Sequence, residues 1–128
     1  MIYLDTSVVL AHLLAEDRCP PSAIWQQPLV SSRLLEYEVW TRIHARGLGV
    51  THSEPVRSVL GRIAFLELAP AVLARALDPF PHPVRALDAL HLASLDFLRQ
   101  HGQEPQLASF DARMTETAKA MRMSLYPL

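Results

Sequence analysis

Residues 1–16 read MIYLDTSVVLAHLLAE, and the part that decides the fold is YLDTSVVL at residues 3–10. Residues 1–5 form the short apolar run that is typical of a buried strand. Asp5, Thr6 and Ser7 then offer capping groups for a helix over residues 8–16. A strand that runs directly into a helix is the first half of a β–α unit, and Asp5 stands at its junction.

The same alternation continues along the rest of the chain. Gly47 or Gly49 is expected to close the second helix, Ser53 to cap the third, Asp111 to cap the last, and Gly102 to end the apolar helix before it. The proline-rich segments at 18–28 and 78–83 predict irregular connections, the first with about one helical turn. We predict further strands at 29–32, 65–69, 105–110 and 123–127, and helices over 33–49, 51–65, 70–77, 84–102 and 112–121.

Alternating strands and helices predict the α/β class, with a mainly parallel central sheet and helices on both faces, in three α/β/α layers. In such folds ligands bind beyond the carboxyl ends of the strands, where the strand order reverses. Asp5 and Asp111 both follow predicted strands at that end. This edge of the sheet is therefore where we expect a functional site.

The bulk composition is that of one globular domain spanning residues 1–128, half hydrophobic and a fifth charged. No apolar stretch reaches the roughly 18 residues of a membrane span, and no signal-peptide pattern opens the chain, so we expect a cytoplasmic protein. A single cysteine, Cys19, excludes an internal disulfide and a thiolate cluster. The net charge is −1, so a nucleic-acid partner would need a local basic patch. Eleven of the twelve basic side chains are arginine, whose planar guanidinium suits phosphate.

Four acids fall at comparable places in this pattern: Asp5, Glu38, Asp88 and Asp111. The three aspartates also have a plain structural interpretation, since they stand where helix N-termini favour an acid. Glu38 lies on an apolar arc of its helix, where an unpaired carboxylate is costly. Glu36 projects onto a comparable arc, so periodicity alone does not choose between the two glutamates.

Taken in order, YLDTSVVL, SSRLLEYEVW, RALDALHLASL, ASFDARMTETAKAM and a closing LYP resemble the PIN-domain nucleases, and within them the VapC-type toxins of bacterial toxin–antitoxin pairs. The resemblance spans nearly the whole chain. In that family an acid follows the first strand, a Glu lies six residues after a Ser, an Asp precedes Ala-Leu-His-Leu-Ala, and another Asp closes a late strand. The resemblance therefore selects Asp5, Glu38, Asp88 and Asp111, and not Glu36.

The resemblance implies a PIN-like fold that hydrolyses RNA with water activated at this acidic cluster. The four acids would be both the catalytic residues and the ligands of Mg²⁺ or Mn²⁺, because clustered carboxylates repel one another and a hard divalent cation relieves that repulsion. It also implies a small antitoxin that blocks the active site, and a homodimer. Ser7 would either orient Asp5 or simply cap the helix. The alternative is a PIN-like module that binds RNA or protein without cutting.

Other polar residues near these motifs carry weaker expectations. Asp96 and Glu116 are interpreted as solvated surface acids in preference to accessory cleft acids, and His91 as a hydrogen-bonded core or cleft-edge residue in preference to a ligand. Three arginines lie close to the proposed ligands and are candidates for RNA phosphate contacts: Arg33, Arg85 and Arg113. Aspartate-nucleophile phosphatases and phosphorelay receivers are excluded because Ser7 replaces a required second acid and the only lysine is Lys119. Nucleotide-binding loops are excluded because the glycines are scattered.

Overall fold

A computed structural model describes residues 1–128. It contains four strands and six α-helices, joined in alternation as the sequence predicts. The strands are β1 (Ile2–Leu4), β2 (Leu29–Ser32), β3 (Ile63–Leu66) and β4 (Gln106–Ala108). The helices are α1 (Thr6–Leu13), α2 (Leu34–Ala45), α3 (Gly49–Leu60), α4 (Pro70–Ala76), α5 (Ala86–Gln100) and α6 (Ala112–Ala120), with a 3₁₀ helix at Ser22–Gln26.

The four strands form one fully parallel sheet in the order β3-β2-β1-β4. Because β2 and β4 lie on opposite sides of β1, the strand order reverses at β1. A crevice beyond the carboxyl end of β1 is therefore the expected ligand site for this topology. Asp5 follows β1 directly, so the first acid of the sequence stands at that crevice.

Alternate residues of β1 enter two separate apolar cores, one on each face of the sheet. Ile2 and Leu4 pack with α1, α2 and α3, whereas Tyr3 packs with α5 and α6. This alternation follows from the two-residue period of a strand. It confirms the three-layer α/β/α arrangement, and it brings helices from both layers to the same end of the sheet.

Several local predictions hold at the level of single residues. Pro70 opens α4, where its missing N–H costs no hydrogen bond. Gly47 and Gly102 follow α2 and α5 with φ of +67° and +82°, the left-handed backbone that glycine adopts without steric cost. The segment 78–83 contains no helix or strand. None of the helices combines the length and the apolar composition that crossing a bilayer requires.

Three predictions about individual elements are wrong. The strand predicted at 65–69 is Ile63–Leu66, because the helix predicted to reach residue 65 already ends at Leu60. Ser53 does not cap α3, which begins at Gly49; its hydroxyl donates to the Gly49 carbonyl within the helix. Residues 123–127 do not form a fifth strand, because only a single bridge joins Leu125 to Leu107. The backbone N–H of Tyr126 donates to the Leu107 carbonyl. The next residue, Pro127, has no N–H with which to extend the strand pairing.

Candidate active site

A cleft of about 700 Å³ opens beyond the carboxyl ends of the strands. Its walls come from α1, α2, the first turn of α5 and the segment after β4. All four acids selected from the sequence line this cleft: Asp5, Glu38, Asp88 and Asp111. Elements from both helical layers thus bring together side chains that are up to 106 positions apart in the sequence.

Asp5 is almost fully buried at the floor of the cleft, with 6% of the residue exposed. Although it occupies the N-cap position of α1, its side chain accepts no capping hydrogen bond. Its Oδ2 instead accepts hydrogen bonds from the hydroxyls of Ser7 and Ser109, each at 2.7 Å. Ser7 is therefore an orienting residue, which was one of its two interpretations. Ser109 was not predicted from the sequence, and its contact with Asp5 joins the segments that follow β4 and β1.

Asp111 both caps a helix and lines the cleft. Its Oδ1 accepts the backbone N–H of Arg113 at 2.9 Å and that of Met114 at 3.4 Å, as the predicted N-cap of α6. Its other oxygen, Oδ2, lies 3.8 Å from the guanidinium of Arg85. One carboxylate oxygen thus holds the helix, while the other is directed to the charged groups of the cleft.

Asp88, in the first turn of α5, has a raised pKa. Burial is the main cause of the raised pKa, and the negative charges of Asp111 and Asp5 add to it. The charge of Arg85, whose Nε lies 3.6 Å from the Asp88 carboxylate, acts in the opposite direction but does not cancel the effect. Burial and the neighbouring carboxylates together therefore disfavour the charged form of Asp88.

Glu38 and Glu36, which periodicity could not separate, have different surroundings. Glu38 lines the cleft, and its Oε1 accepts from the Thr6 hydroxyl at 2.8 Å and lies 2.7 Å from His91 Nε2. Glu36 lies outside the cleft lining and pairs with Arg33 at 3.2 Å. The glutamate chosen by the family resemblance is therefore the one that the fold brings to the other three acids.

His91 is a hydrogen-bonded residue at the inner edge of the cleft, as predicted. It is 1% exposed, and its two ring nitrogens contact Tyr3 and Glu38. Tyr3 is completely buried, and this burial raises the pKa of its hydroxyl well above the usual value, so the hydroxyl keeps its proton. No local pattern indicates this pair, because 88 positions separate the two residues.

The interpretation of Asp96 as a solvated surface acid is wrong. Asp96 is 6% exposed and forms ion pairs of 2.8 Å with both Arg75 and Arg99, away from the cleft. Burial tends to raise its pKa, but the hydrogen bonds and charges of the two arginines outweigh burial and lower it. Glu116 is exposed and does not line the cleft, in agreement with its interpretation as a surface acid.

Of the three arginines proposed from the sequence, only Arg85 lies against the acids. Arg33 is paired with Glu67 and Glu36, and Arg113 is exposed beside a separate hollow. Two arginines that the sequence analysis missed, Arg18 and Arg42, line the cleft instead. Arg42 lies four residues after Glu38 in α2, a spacing that places both on one helix face and could have indicated it, whereas Arg18 lies outside the quoted motifs.

The donor set of the cleft suits a hard divalent cation, because its five acidic side chains, the four selected acids and Glu16, offer only oxygen ligands. No group of three or more His, Cys, Asp or Glu side chains is close enough together to hold an ion. Mg²⁺ usually binds through one or two carboxylates and keeps several waters. The residues present therefore fit a water-rich site of the Mg²⁺ type, and do not form a closed protein cage.

Comparison with known proteins agrees with this architecture. The family model of the PIN domain matches residues 2–120, and the chain therefore belongs to the PIN-domain family. Ribonuclease VapC35 of Mycobacterium tuberculosis is 29% identical over 131 aligned positions, which cover 98% of this chain and 95% of the relative. Ribonuclease VapC46 of the same organism is 28% identical over 127 positions, with coverage of 97% and 95%.

Proposed function

We propose that the protein is a metal-dependent endoribonuclease that acts as the toxin of a toxin–antitoxin pair. The observation that carries this proposal is the convergence of Asp5, Glu38, Asp88 and Asp111 on one cleft at the point where the strand order reverses. Membership of the PIN-domain family, and full-length relatives named as ribonucleases, support the same activity.

The four acids would hold Mg²⁺ or Mn²⁺, one or two of them through their carboxylate oxygens directly and the others through waters bound to the cation. When bound, the cation supplies Lewis-acid chemistry, in which water is activated and charge developing on the scissile phosphate is stabilised. Ser7 and Ser109 fix the Asp5 carboxylate, and the backbone of α6 fixes that of Asp111. The residues around the acids thus restrict carboxylate rotation before the substrate arrives, which is the preorganisation that catalysis requires.

Binding of RNA would depend on local charge, because the chain as a whole is weakly acidic. Arg18 and Arg42 line the cleft, and the guanidinium of Arg18 lies 4.6 Å from the centre of the Phe110 ring. Tyr37, also on the wall, is 64% exposed. Arginines suit phosphate oxygens and exposed aromatic rings suit unstacked bases, so we infer that a flexible or single-stranded RNA segment enters the cleft.

The biological setting follows from the same proposal. An antitoxin would inhibit the enzyme by covering the cleft, where Tyr37 and Leu87 are exposed large apolar side chains on the wall. We also propose a homodimer that works in the cytoplasm. A non-catalytic binding module is the less favoured alternative, because a module that only binds RNA has no need of four acids that repel phosphate.

The activity is tested by incubating purified protein with a mixed RNA pool, first in EDTA and then with Mg²⁺ or Mn²⁺ restored. We expect cleavage only when the cation is present. Glu38→Gln and Glu36→Gln form a matched pair, since both remove one charge from the same helix. Loss of cleavage in Glu38→Gln alone would support the proposed site. The reverse result would show that Glu36 is the ligand, and cleavage in EDTA would refute the metal dependence.

A further inference from the structure

A buried chain of hydrogen bonds holds Glu38 from behind and reaches back into the central sheet. His91 Nε2 lies 2.7 Å from Glu38 Oε1, and His91 Nδ1 lies 2.7 Å from the Tyr3 hydroxyl. The chain is shielded from solvent, because Tyr3 and His91 are 0% and 1% exposed. It links β1 of the central sheet and α5 of one helical layer to α2 of the other helical layer.

The hydrogen-bond partners give this chain a direction. The backbone N–H of Ser32 donates to the Tyr3 oxygen at 3.2 Å, and a backbone N–H can only donate. The hydroxyl proton of Tyr3 is then available for His91 Nδ1, which acts as the acceptor. Because a carboxylate oxygen accepts hydrogen bonds, the contact with Glu38 places the ring proton of His91 on Nε2, and a neutral imidazole then leaves Nδ1 to accept from the Tyr3 hydroxyl.

We propose that His91, oriented by Tyr3, is a positioning residue that fixes the Glu38 carboxylate for cation binding, an inference that rests on the proposed function. Oε1 of Glu38 already accepts hydrogen bonds from His91 Nε2 and from the Thr6 hydroxyl. Oε2 has no partner within the protein and remains available to a ligand in the cleft. Partners of this kind, which fix the orientation of a metal ligand, typically change metal affinity or activity by about 10- to 100-fold when removed.

The first test is made without any metal. Nitrogen-15 spectra of labelled histidine distinguish a protonated ring nitrogen from one that accepts a hydrogen bond. We expect the proton of His91 on Nε2, and we expect Tyr3→Phe to shift the Nδ1 resonance because its donor is lost. A proton on Nδ1 would overturn the proposed direction of the chain.

The second test measures Mn²⁺ affinity by titration, independently of RNA cleavage. His91→Leu should weaken Mn²⁺ binding by about 10-fold or more. His91→Gln, which keeps an N–H donor, should recover part of that affinity. Leu92→Ala is the control, because it truncates a neighbouring buried side chain of α5 that lies outside the hydrogen-bond chain. It should lower the melting temperature without weakening Mn²⁺ binding.

Combining His91→Leu with Glu38→Gln shows whether His91 acts through Glu38. If it does, His91→Leu should have little further effect once Glu38 is replaced. An equal loss of affinity in both backgrounds would overturn the proposal. Should His91→Leu fail to fold, Tyr3→Phe removes a single hydroxyl from the same chain and should weaken Mn²⁺ binding less, but in the same direction.

The two proposals fail in different ways. If Glu38→Gln binds Mn²⁺ as tightly as the wild type, Glu38 is not a ligand, and the proposed site and the positioning role both fall. If Glu38→Gln weakens binding while neither His91→Leu nor Tyr3→Phe does, the site stands and only the positioning role is refuted.

Discussion

Arg85 occupies the mouth of the cleft and pairs with two of the proposed metal ligands. Its guanidinium lies 3.6 Å from the Asp88 carboxylate and 3.8 Å from that of Asp111, while 71% of its side chain is exposed. A cation entering the cleft competes with Arg85 for these two acids. Arg85→Gln should therefore strengthen cation binding in the absence of RNA.

The size of the effect follows from the exposure of these ion pairs. Exposed ion pairs are worth about 0.2–1 kcal/mol each. A cation must break the two pairs of Arg85 in order to bind, so their removal should favour the free energy of cation binding by about 0.4–2 kcal/mol. Since 1.4 kcal/mol corresponds to a factor of about ten, Mn²⁺ should bind about 2- to 30-fold more tightly to Arg85→Gln. Added salt should reduce the difference because it screens exposed charges.

The assay is a Mn²⁺ titration of the wild type and Arg85→Gln at low ionic strength. Arg42→Gln is the matched control, since it removes the same charge from the same cleft but from a residue that forms no ion pair with the acids. It should give a smaller gain. Unchanged or weaker Mn²⁺ binding in Arg85→Gln would refute competition between Arg85 and the cation.

Two further predictions concern stability. Because the pKa of Asp88 is raised in the folded protein, its charged form costs stability once the pH rises through that pKa. Asp88→Asn should thus raise the melting temperature of the metal-free protein at pH 7, and a fall of several degrees would contradict the charge repulsion. Asp96→Asn should cost about 3 kcal/mol, or about 10 °C in melting temperature, because it removes a buried partner of Arg75. An unchanged melting temperature would show that this ion pair contributes little.

Four parallel strands and the placement of three of the acids at one edge of the sheet follow from local signals in the sequence. Asp5 and Asp111 follow strands directly, and Asp88 opens an apolar helix, so their positions follow from the β–α alternation. Glu38 is different, since helical periodicity left Glu36 equally possible and only the resemblance to a known family separated them. Tertiary packing then explains the choice through the contact between Glu38 and His91, which are 53 positions apart.

The groups that support the acids could not be predicted from local patterns. Ser109 bonds to Asp5 across 104 positions of sequence, and nothing about a serine before a phenylalanine indicates that role. Asp96 is a comparable case. Helix periodicity alone makes a buried carboxylate unfavourable, but the charges of Arg75 and Arg99 compensate the burial of Asp96. Ser53 shows the converse, since a residue with strong capping preference lies within a helix that begins four positions earlier.

The most direct test of the account compares RNA cleavage by the wild type and by Asp5→Asn, with both proteins shown by melting curves to be folded and free of any inhibitor. Asp5 is the suitable position because its carboxylate lies at the floor of the cleft, held by two hydroxyls. We expect Mg²⁺ or Mn²⁺ to restore cutting after EDTA treatment in the wild type only. Equal cutting by Asp5→Asn, or no cutting by the wild type with either cation, would contradict it.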